Sequence, residues 1–247
     1  MTAPIDSASA SAAGTAPVLE ALGVVKGYRG GDGATLRVLD GVDLTVAAGE
    51  MVAVVGASGS GKSTFLHVVG ALERPDAGVV RLGGSSTSGA SDEALATLRN
   101  QRVGFVFQFH HLLKEFSALE NVMMPMRIAE RSDAEARARA TELLERVGLG
   151  ARLHHRPAEL SGGEQQRAAV ARALALQPPI LLADEPSGNL DHHNAERLHD
   201  LFAELTRESG LGIVVVTHNR SLAERAHRVL HLEDGRLHPA PPSAGGV

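Results

Sequence analysis

The run Met51-Val52-Ala53-Val54-Val55 passes directly into Gly56-Ala57-Ser58-Gly59-Ser60-Gly61-Lys62-Ser63-Thr64, and no other stretch restricts the possible folds so much. An uninterrupted apolar run of this length fits a parallel strand buried on both faces. Beyond the glycines, Phe65, Leu66 and Val69 recur at helical spacing, which predicts a helix from Lys62 to Leu72. The loop between them fits G-x-x-x-x-G-K-[ST]. Backbone N–H groups reach phosphate oxygens closely only where no Cβ stands in the way. Gly56, Gly59 and Gly61 are expected to leave that room. Lys62 then offers a point charge to β- and γ-phosphates, Ser63 a hydroxyl to Mg²⁺, and the helix its N-terminal dipole. A chance glycine-rich turn is the bland alternative, and it does not explain the position between strand and helix.

Two later segments have the same double reading. Ile180-Leu181-Leu182-Ala183 is a buried-strand pattern that delivers Asp184 and Glu185 to its carboxyl end, where ligands of open α/β sheets sit. Asp184 is expected to hold Mg²⁺ and Glu185 to act as general base on water. Alone, the pair would be an acidic helix start; beside a phosphate loop it reads as catalytic. Leu160-Ser161-Gly162-Gly163-Glu164-Gln165-Gln166-Arg167 contains S-x-x-E ahead of an apolar-periodic helix, a capping box. Two glycines in a first turn cost roughly 1 kcal/mol each in helix propensity, and a cap does not require them. They make sense where helix N–H groups meet an anion at close range.

The remaining pattern is a mixed α/β core. Val18 to Lys26, Leu36 to Leu39 and Val42 to Val46 read as closely spaced strands of an antiparallel layer, the last two separated by Asp40-Gly41. Val79 to Leu82, Val103 to Phe107 and Ile213 to Thr217 are further strands, and Arg228 to Leu237 is a terminal hairpin turning at Asp234-Gly235. Helices are expected over 161–176 and 191–208, with a helical insertion over about 108–156. Within it Ser132 and Glu135 form a capping box, and Asp133–Arg137 and Glu135–Arg139 form i,i+4 pairs. Residues 1–17 and 238–247 read as disordered extensions flanking one domain over 18–237.

Composition narrows the function classes. With 24 basic against 29 acidic residues and a net charge of −5, nothing global points to nucleic acid. The chain has no cysteine, which excludes disulfides and thiolate metal sites. No apolar run approaches the ~18–20 residues that cross a bilayer. Twelve histidines include the pairs His110-His111, His154-His155 and His192-His193, but adjacent residues do not face one way and no metal-ligand spacing occurs. Phe105, Phe107, Phe109 and Phe116 crowd one short stretch, followed by Leu112, Leu113, Val122, Met123, Met124 and Met126. This set reads equally as a small helical core and as a docking groove in which methionines adapt to a partner helix.

Taken in order, these motifs resemble the ATP-binding subunits of ATP-binding-cassette (ABC) transporters over roughly Val18 to Leu237. The resemblance implies a P-loop NTPase fold whose mixed sheet core carries an antiparallel β layer and an inserted helical subdomain. It implies ATP and Mg²⁺ as ligands, with the whole loop Gly56, Ala57, Ser58, Gly59, Ser60, Gly61, Lys62, Ser63 and Thr64 at the nucleotide. Tyr28 resembles the aromatic that stacks on adenine, Gln108 the glutamine that touches Mg²⁺, and His218 the switch histidine at γ-phosphate. Ser187-Gly188-Asn189-Leu190-Asp191 resembles the D-loop. Ser161, Gly162, Gly163 and Gln165 resemble signature residues that contact ATP in trans, so a second copy of the chain is implied as a head-to-tail, ATP-dependent partner.

Phe107-Gln108-Phe109-His110-His111-Leu112-Leu113 running into Glu115 to Pro125, with His155 to Leu160, is similar to the lipoprotein-releasing branch of that family, which lies beside macrolide-export and cell-division cassettes. Lys114, Ser187 and Asn219 depart from the pattern, where proline, threonine and aspartate are expected. The implied partners are integral membrane permease subunits, at the cytoplasmic face of the inner membrane. A cassette regulating a cell-division complex differs only in its partner. A small-molecule P-loop kinase explains the glycine loop but not Leu160 to Arg167 or His218. A DNA-repair cassette would carry long coiled-coil insertions.

Overall fold

The computed structural model describes residues 16–31 and 33–240. In chain order the elements are β1 (Leu19–Arg29), β2 (Thr35–Val46), β3 (Met51–Val55), α1 (Lys62–Val69), β4 (Ala77–Leu82), β5 (Ser85–Ser86), α2 (Asp92–Arg102) and β6 (Val103–Phe107). They continue with α3 (Ala118–Ile128), α4 (Asp133–Arg146), α5 (Gly162–Ala173), β7 (Ile180–Asp184), α6 (His192–Ser209), β8 (Gly212–Val216), α7 (Arg220–Glu224), β9 (Arg228–Glu233) and β10 (Arg236–Pro239). Two sheets result. One is antiparallel in the order β2-β1-β4-β5, and the other runs β10-β9-β3-β8-β7-β6, parallel from β9 to β6.

The apolar runs are buried on both faces, and their period of two divides them between two cores. Met51, Ala53, Leu181, Ala183, Ile213 and Val215 face α3, α4, α5 and α6. Their alternates Val52, Val54, Ile180, Leu182, Val214 and Val216 face α1 and the antiparallel sheet. The strand ends are thereby clamped from both sides, which fixes the loops that follow β3, β7 and β8.

Several sequence expectations change. Asp40-Gly41 does not separate two strands: β2 is continuous, with Val24 opposite Val42 and Val25 opposite Asp40, so Gly41 is the extra residue of a bulge at φ +79°. The Asp40 N–H donates to the Gly235 carbonyl (2.8 Å), which ties that bulge to the terminal hairpin. The helix after the loop stops at Val69. β10 runs through His238 to Pro239, two residues that the sequence reading assigned to a loose tail. Ala240 follows, its N–H donating to the Val229 carbonyl, whereas residues 241–247 of that tail and the expected N-terminal extension up to residue 15 lie outside the described residues. The Ser132–Glu135 box forms, as does the Asp133–Arg137 pair at 3.8 Å, whereas Arg139 turns to Glu142 instead of Glu135. Among the described residues no helix is long and apolar enough to cross a membrane.

Candidate functional site

Gly61 caps α1 in the left-handed region (φ +95°) with no side-chain cap, so the first N–H groups of the helix keep their donors free. Besides any room they leave for phosphate, two of the glycines are required by the chain itself. A Cβ on Gly56 would lie 2.6 Å from the Leu232 carbonyl oxygen, and one on Gly61 2.6 Å from Val38 Cγ1. Gly59 (φ +80°) would meet nothing within 4 Å, and only its backbone conformation calls for glycine. Lys62 Nζ donates to the carbonyls of Gly56 (2.9 Å) and Ala57 (2.8 Å), which holds the ammonium over the loop with one N–H to spare. The Ser60 N–H donates to the Ala57 carbonyl, and its buried Oγ makes no hydrogen bond.

A cavity of about 450 Å³ opens beside this loop, lined by Tyr28, Val38, Ser58, Gly59, Gly61, Lys62, Ser63, Thr64, Asp184 and Glu185. Six of the nine loop residues, the aromatic and both carboxylates thus share one space. Burial raises the Asp184 pKa, and a hydrogen bond from Ser63 acts against that rise. A desolvated carboxylate beside a hydroxyl is a pair of oxygen donors suited to a small hard cation. Tyr28 is more constrained than expected: its OH donates to Glu73 (2.7 Å) and Lys26 Nζ lies 5.5 Å from its ring centre, while about 39% of the residue stays exposed.

Glu185 takes φ +44°, a costly conformation for a residue with a Cβ. It is held there by its N–H on the Val216 carbonyl (2.9 Å) and by its own carbonyl accepting from Gly188 (3.0 Å). The carboxylate accepts from Thr217 Oγ1 and the His218 N–H, both at 3.2 Å, and meets His218 Nδ1 at 2.8 Å. A carboxylate has about four acceptor positions, so these three contacts leave one unused, and Glu185 lines the cavity. Thr217, wholly buried, is a site residue that sequence reading did not single out; its only sign was its place between the strand and His218.

Gln108 and the segment after Glu185 form one unit. Gln108 Nε2 donates to Asn189 Oδ1 (3.1 Å), Asn189 Nδ2 donates to the Gln108 carbonyl (3.2 Å), and a Cβ on Gly188 would press on Gln108. The Leu190 N–H donates to the Ser187 carbonyl, and Asp191 caps α6 through the Asn194 N–H.

Ser161 to Gln165 stand elsewhere; none of them lines the cavity. Ser161 Oγ accepts from the Glu164 N–H, and Glu164 accepts from the N–H and hydroxyl of Ser161 (2.8 and 2.9 Å). Gly163 is explained inside the chain, because a Cβ there would lie 2.3 Å from Asn194 Oδ1; Gly162 has nothing within 4 Å. The Gln165 amide nitrogen donates to the carbonyls of Pro157 and Leu160, which fixes the side chain at the start of α5. Of the apolar set around Gln108, Val122, Met123 and Met126 are core, whereas Phe109 (65%) and Leu113 (41%) are exposed, as is Ile128 at the end of α3 (66%). Arg172 on α5 holds this segment by donating to the carbonyls of His110 and His111.

The profile of the ABC transporter family matches residues 39–188. The chain belongs to that family, as an ATP-hydrolysing cassette. Curated relatives that match most of the chain include proteins named lipoprotein-releasing system ATP-binding protein LolD. The protein of Geobacter metallireducens is 55% identical over 222 residues, 89% of this chain and 97% of that one. The Bordetella pertussis protein is 53% identical, covering 91% and 97%. Among solved structures, the ATP-binding cassette MJ0796, dimeric in a post-hydrolysis state bound to ADP and Pi, is 38% identical with a TM-score of 0.83 and covers 92% of this chain and 100% of that one.

Proposed function

We propose that this chain is the ATPase subunit of a lipoprotein-releasing transporter. It works as a head-to-tail dimer against integral membrane subunits of the LolC/LolE kind, on the cytoplasmic face of the inner membrane. The observation that carries the reading is the likeness to LolD proteins over about nine-tenths of the chain. The exposed Phe109 and Leu113, on a segment clamped to α5 by Arg172, support a docking place for a membrane subunit.

The reaction follows from the placement of groups. The N–H groups at the start of α1 and the spare N–H of Lys62 bind the terminal phosphates of ATP. Ser63 and Asp184, with the Gln108 side-chain oxygen, would hold Mg²⁺, which would supply positive charge beside the phosphate oxygens. Glu185 uses its remaining lone pair to orient water and accept its proton, while Thr217 and His218 prevent the carboxylate from turning away. Tyr28 presents its exposed face to the adenine. The N-terminus of α5 at Gly162, in a second copy of the chain, supplies further donors to the phosphates from the side opposite the loop. ATP therefore joins the two chains, and hydrolysis releases them.

The test is reconstitution. Co-expressed with its neighbouring membrane subunits and placed in proteoliposomes loaded with an acylated lipoprotein, the chain is expected to drive ATP-dependent release of the lipoprotein to a soluble acceptor. Hydrolysis without release, joined to export of a small amphiphile, would replace this reading with a drug-export one.

A further inference from the structure

His199 on α6 is wholly buried, yet it carries two polar nitrogens. Its Nε2 lies 3.1 Å from Ser187 Oγ, two residues beyond Glu185. Its Nδ1 lies 3.4 Å from Glu196 Oε1, just outside good hydrogen-bond geometry. That carboxylate in turn accepts from Ser221 Oγ (2.8 Å) and pairs with Arg225 (2.5 Å), which anchors α7 to α6. α7 begins at Asn219, which caps it directly after His218. The contacts form a ring, Glu185, His218, α7, Glu196, His199, Ser187 and back to Glu185, in which the His199–Glu196 step is a close approach and not a hydrogen bond.

The charges around the ring select its protonation. Burial lowers the His199 pKa, which favours a neutral imidazole. Placing the one proton on Nδ1 faces an N–H to the Glu196 carboxylate, whereas placing it on Nε2 would face a lone pair to that negative charge. The first arrangement leaves Nε2 as acceptor, with the Ser187 hydroxyl donating to it. An apolar side chain would fill this buried position at lower desolvation cost. The polar ring is therefore explained by what it holds.

We propose that His199 is a positioning residue for ATP hydrolysis. By fixing Ser187, it holds the turn in which the Gly188 N–H donates to the Glu185 carbonyl and Glu185 keeps φ +44°. The candidate base is thereby kept pointed at the cavity, and its geometry is coupled to the helix behind His218. This rests on the reading of Glu185 as base.

The test is steady-state ATP hydrolysis by the full chain with its membrane subunits. His199→Leu is expected to lower kcat about tenfold with KM changed less than about threefold, the mark of an interaction realised in the transition state. His199→Gln, whose amide reaches Ser187, is expected to recover most of the rate. Ser187→Ala is expected to match His199→Leu, and the double variant to fall no further, since both changes break the same bond. Melting temperature and ATP affinity are followed in each variant. A His199→Leu protein with unchanged kcat overturns the proposal, and so does one whose kcat falls only in proportion to lost folded protein. Fully additive losses in the double variant would also overturn it. Glu185→Gln, run alongside, separates the two failures: full hydrolysis in that variant sinks the base assignment, whereas an inactive Glu185→Gln with a fully active His199→Leu sinks the positioning role alone.

Discussion

Two helices of this molecule begin at glycines, and they differ in what the glycines serve. At α1 the cap is Gly61 itself, no side chain competes for the first N–H groups, and Gly56 and Gly61 are both pressed by neighbours in the same chain. At α5 a Ser161–Glu164 box already occupies the end, Gly163 is pressed by Asn194, and Gly162 faces open space. The first start leaves its N–H groups open with no side chain to cap them. The second is complete as a helix and keeps one residue whose lack of a side chain the fold does not use. A half-site that works on a neighbouring molecule has that character.

The largest expected effect lies beside the first start, at the residue after β7. Glu185→Gln removes the proton acceptor but keeps the shape, so hydrolysis should fall on the order of a thousandfold while ATP binding persists. The trapped protein should pair in light scattering when MgATP is added. A variant that stays single even beside its membrane subunits would break the comparison, because α5 would then have no partner to serve. Lys62→Ala should weaken ATP binding about ten- to a hundredfold in calorimetry, the value of a charge-assisted contact. Unchanged affinity would show that the ammonium serves only the loop carbonyls it now touches.

Alanine at single glycines sharpens the contrast. Gly56→Ala must move the Leu232 carbonyl and should cost about 1–3 kcal/mol by overpacking. Gly162→Ala meets nothing and replaces a poor helix former, so stability should rise by up to about 1 kcal/mol while hydrolysis by the assembled protein falls. Thermal melts and turnover measured together check this. If Gly162→Ala hydrolyses at the full rate, the open face has no role in the reaction.

The sequence made the strand–loop–helix unit legible because periodicity, motif and chemistry agreed over Met51 to Val69. The signature helix, β7 and β8 were legible for the same reason. α2 was missed because only Leu95 among its residues is buried and no apolar stripe marks it, although Ser91, Asp92 and Glu93 are a helix start. α7 spans five residues, too short for a period. Asp40-Gly41 read as a turn because its conformation is decided by the distant Gly235 carbonyl. At the candidate site, the sequence could name residues that meet around the cavity but not their hydrogen-bond partners. Nothing local separates Gly162 from Gly163; the distinction is made by Asn194 on another helix. The left-handed backbone of Glu185, and the Thr217 and His199 contacts that stabilise it, likewise belong to the packed core.

The smallest expected effect concerns the charge at the second helix start. Hydrogen bonds from the Ser161 N–H and hydroxyl hold the Glu164 carboxyl below the ordinary carboxylate range, although burial acts against them. A depressed folded-state pKa means that the ionised box adds stability above the unfolded value, and that this stability is lost as pH falls through the folded one. Asp184 runs the other way: burial raises it, so the folded chain binds that proton more tightly, and stability is lost as pH climbs from the ordinary value through the raised one. Glu164→Gln should therefore melt about 1–2 °C below the parent at pH 7 and converge with it in acid. Asp184→Asn should melt above the parent at pH 7 and also converge in acid. The opposite signs separate the two glycine-bearing starts: the carboxylate at α5 stabilises the helix that carries it, whereas the one beside α1 is kept at a cost to the fold, as a group retained for a cation is. If both variants shifted in the same direction, Asp184 would belong to the scaffold and not to the site.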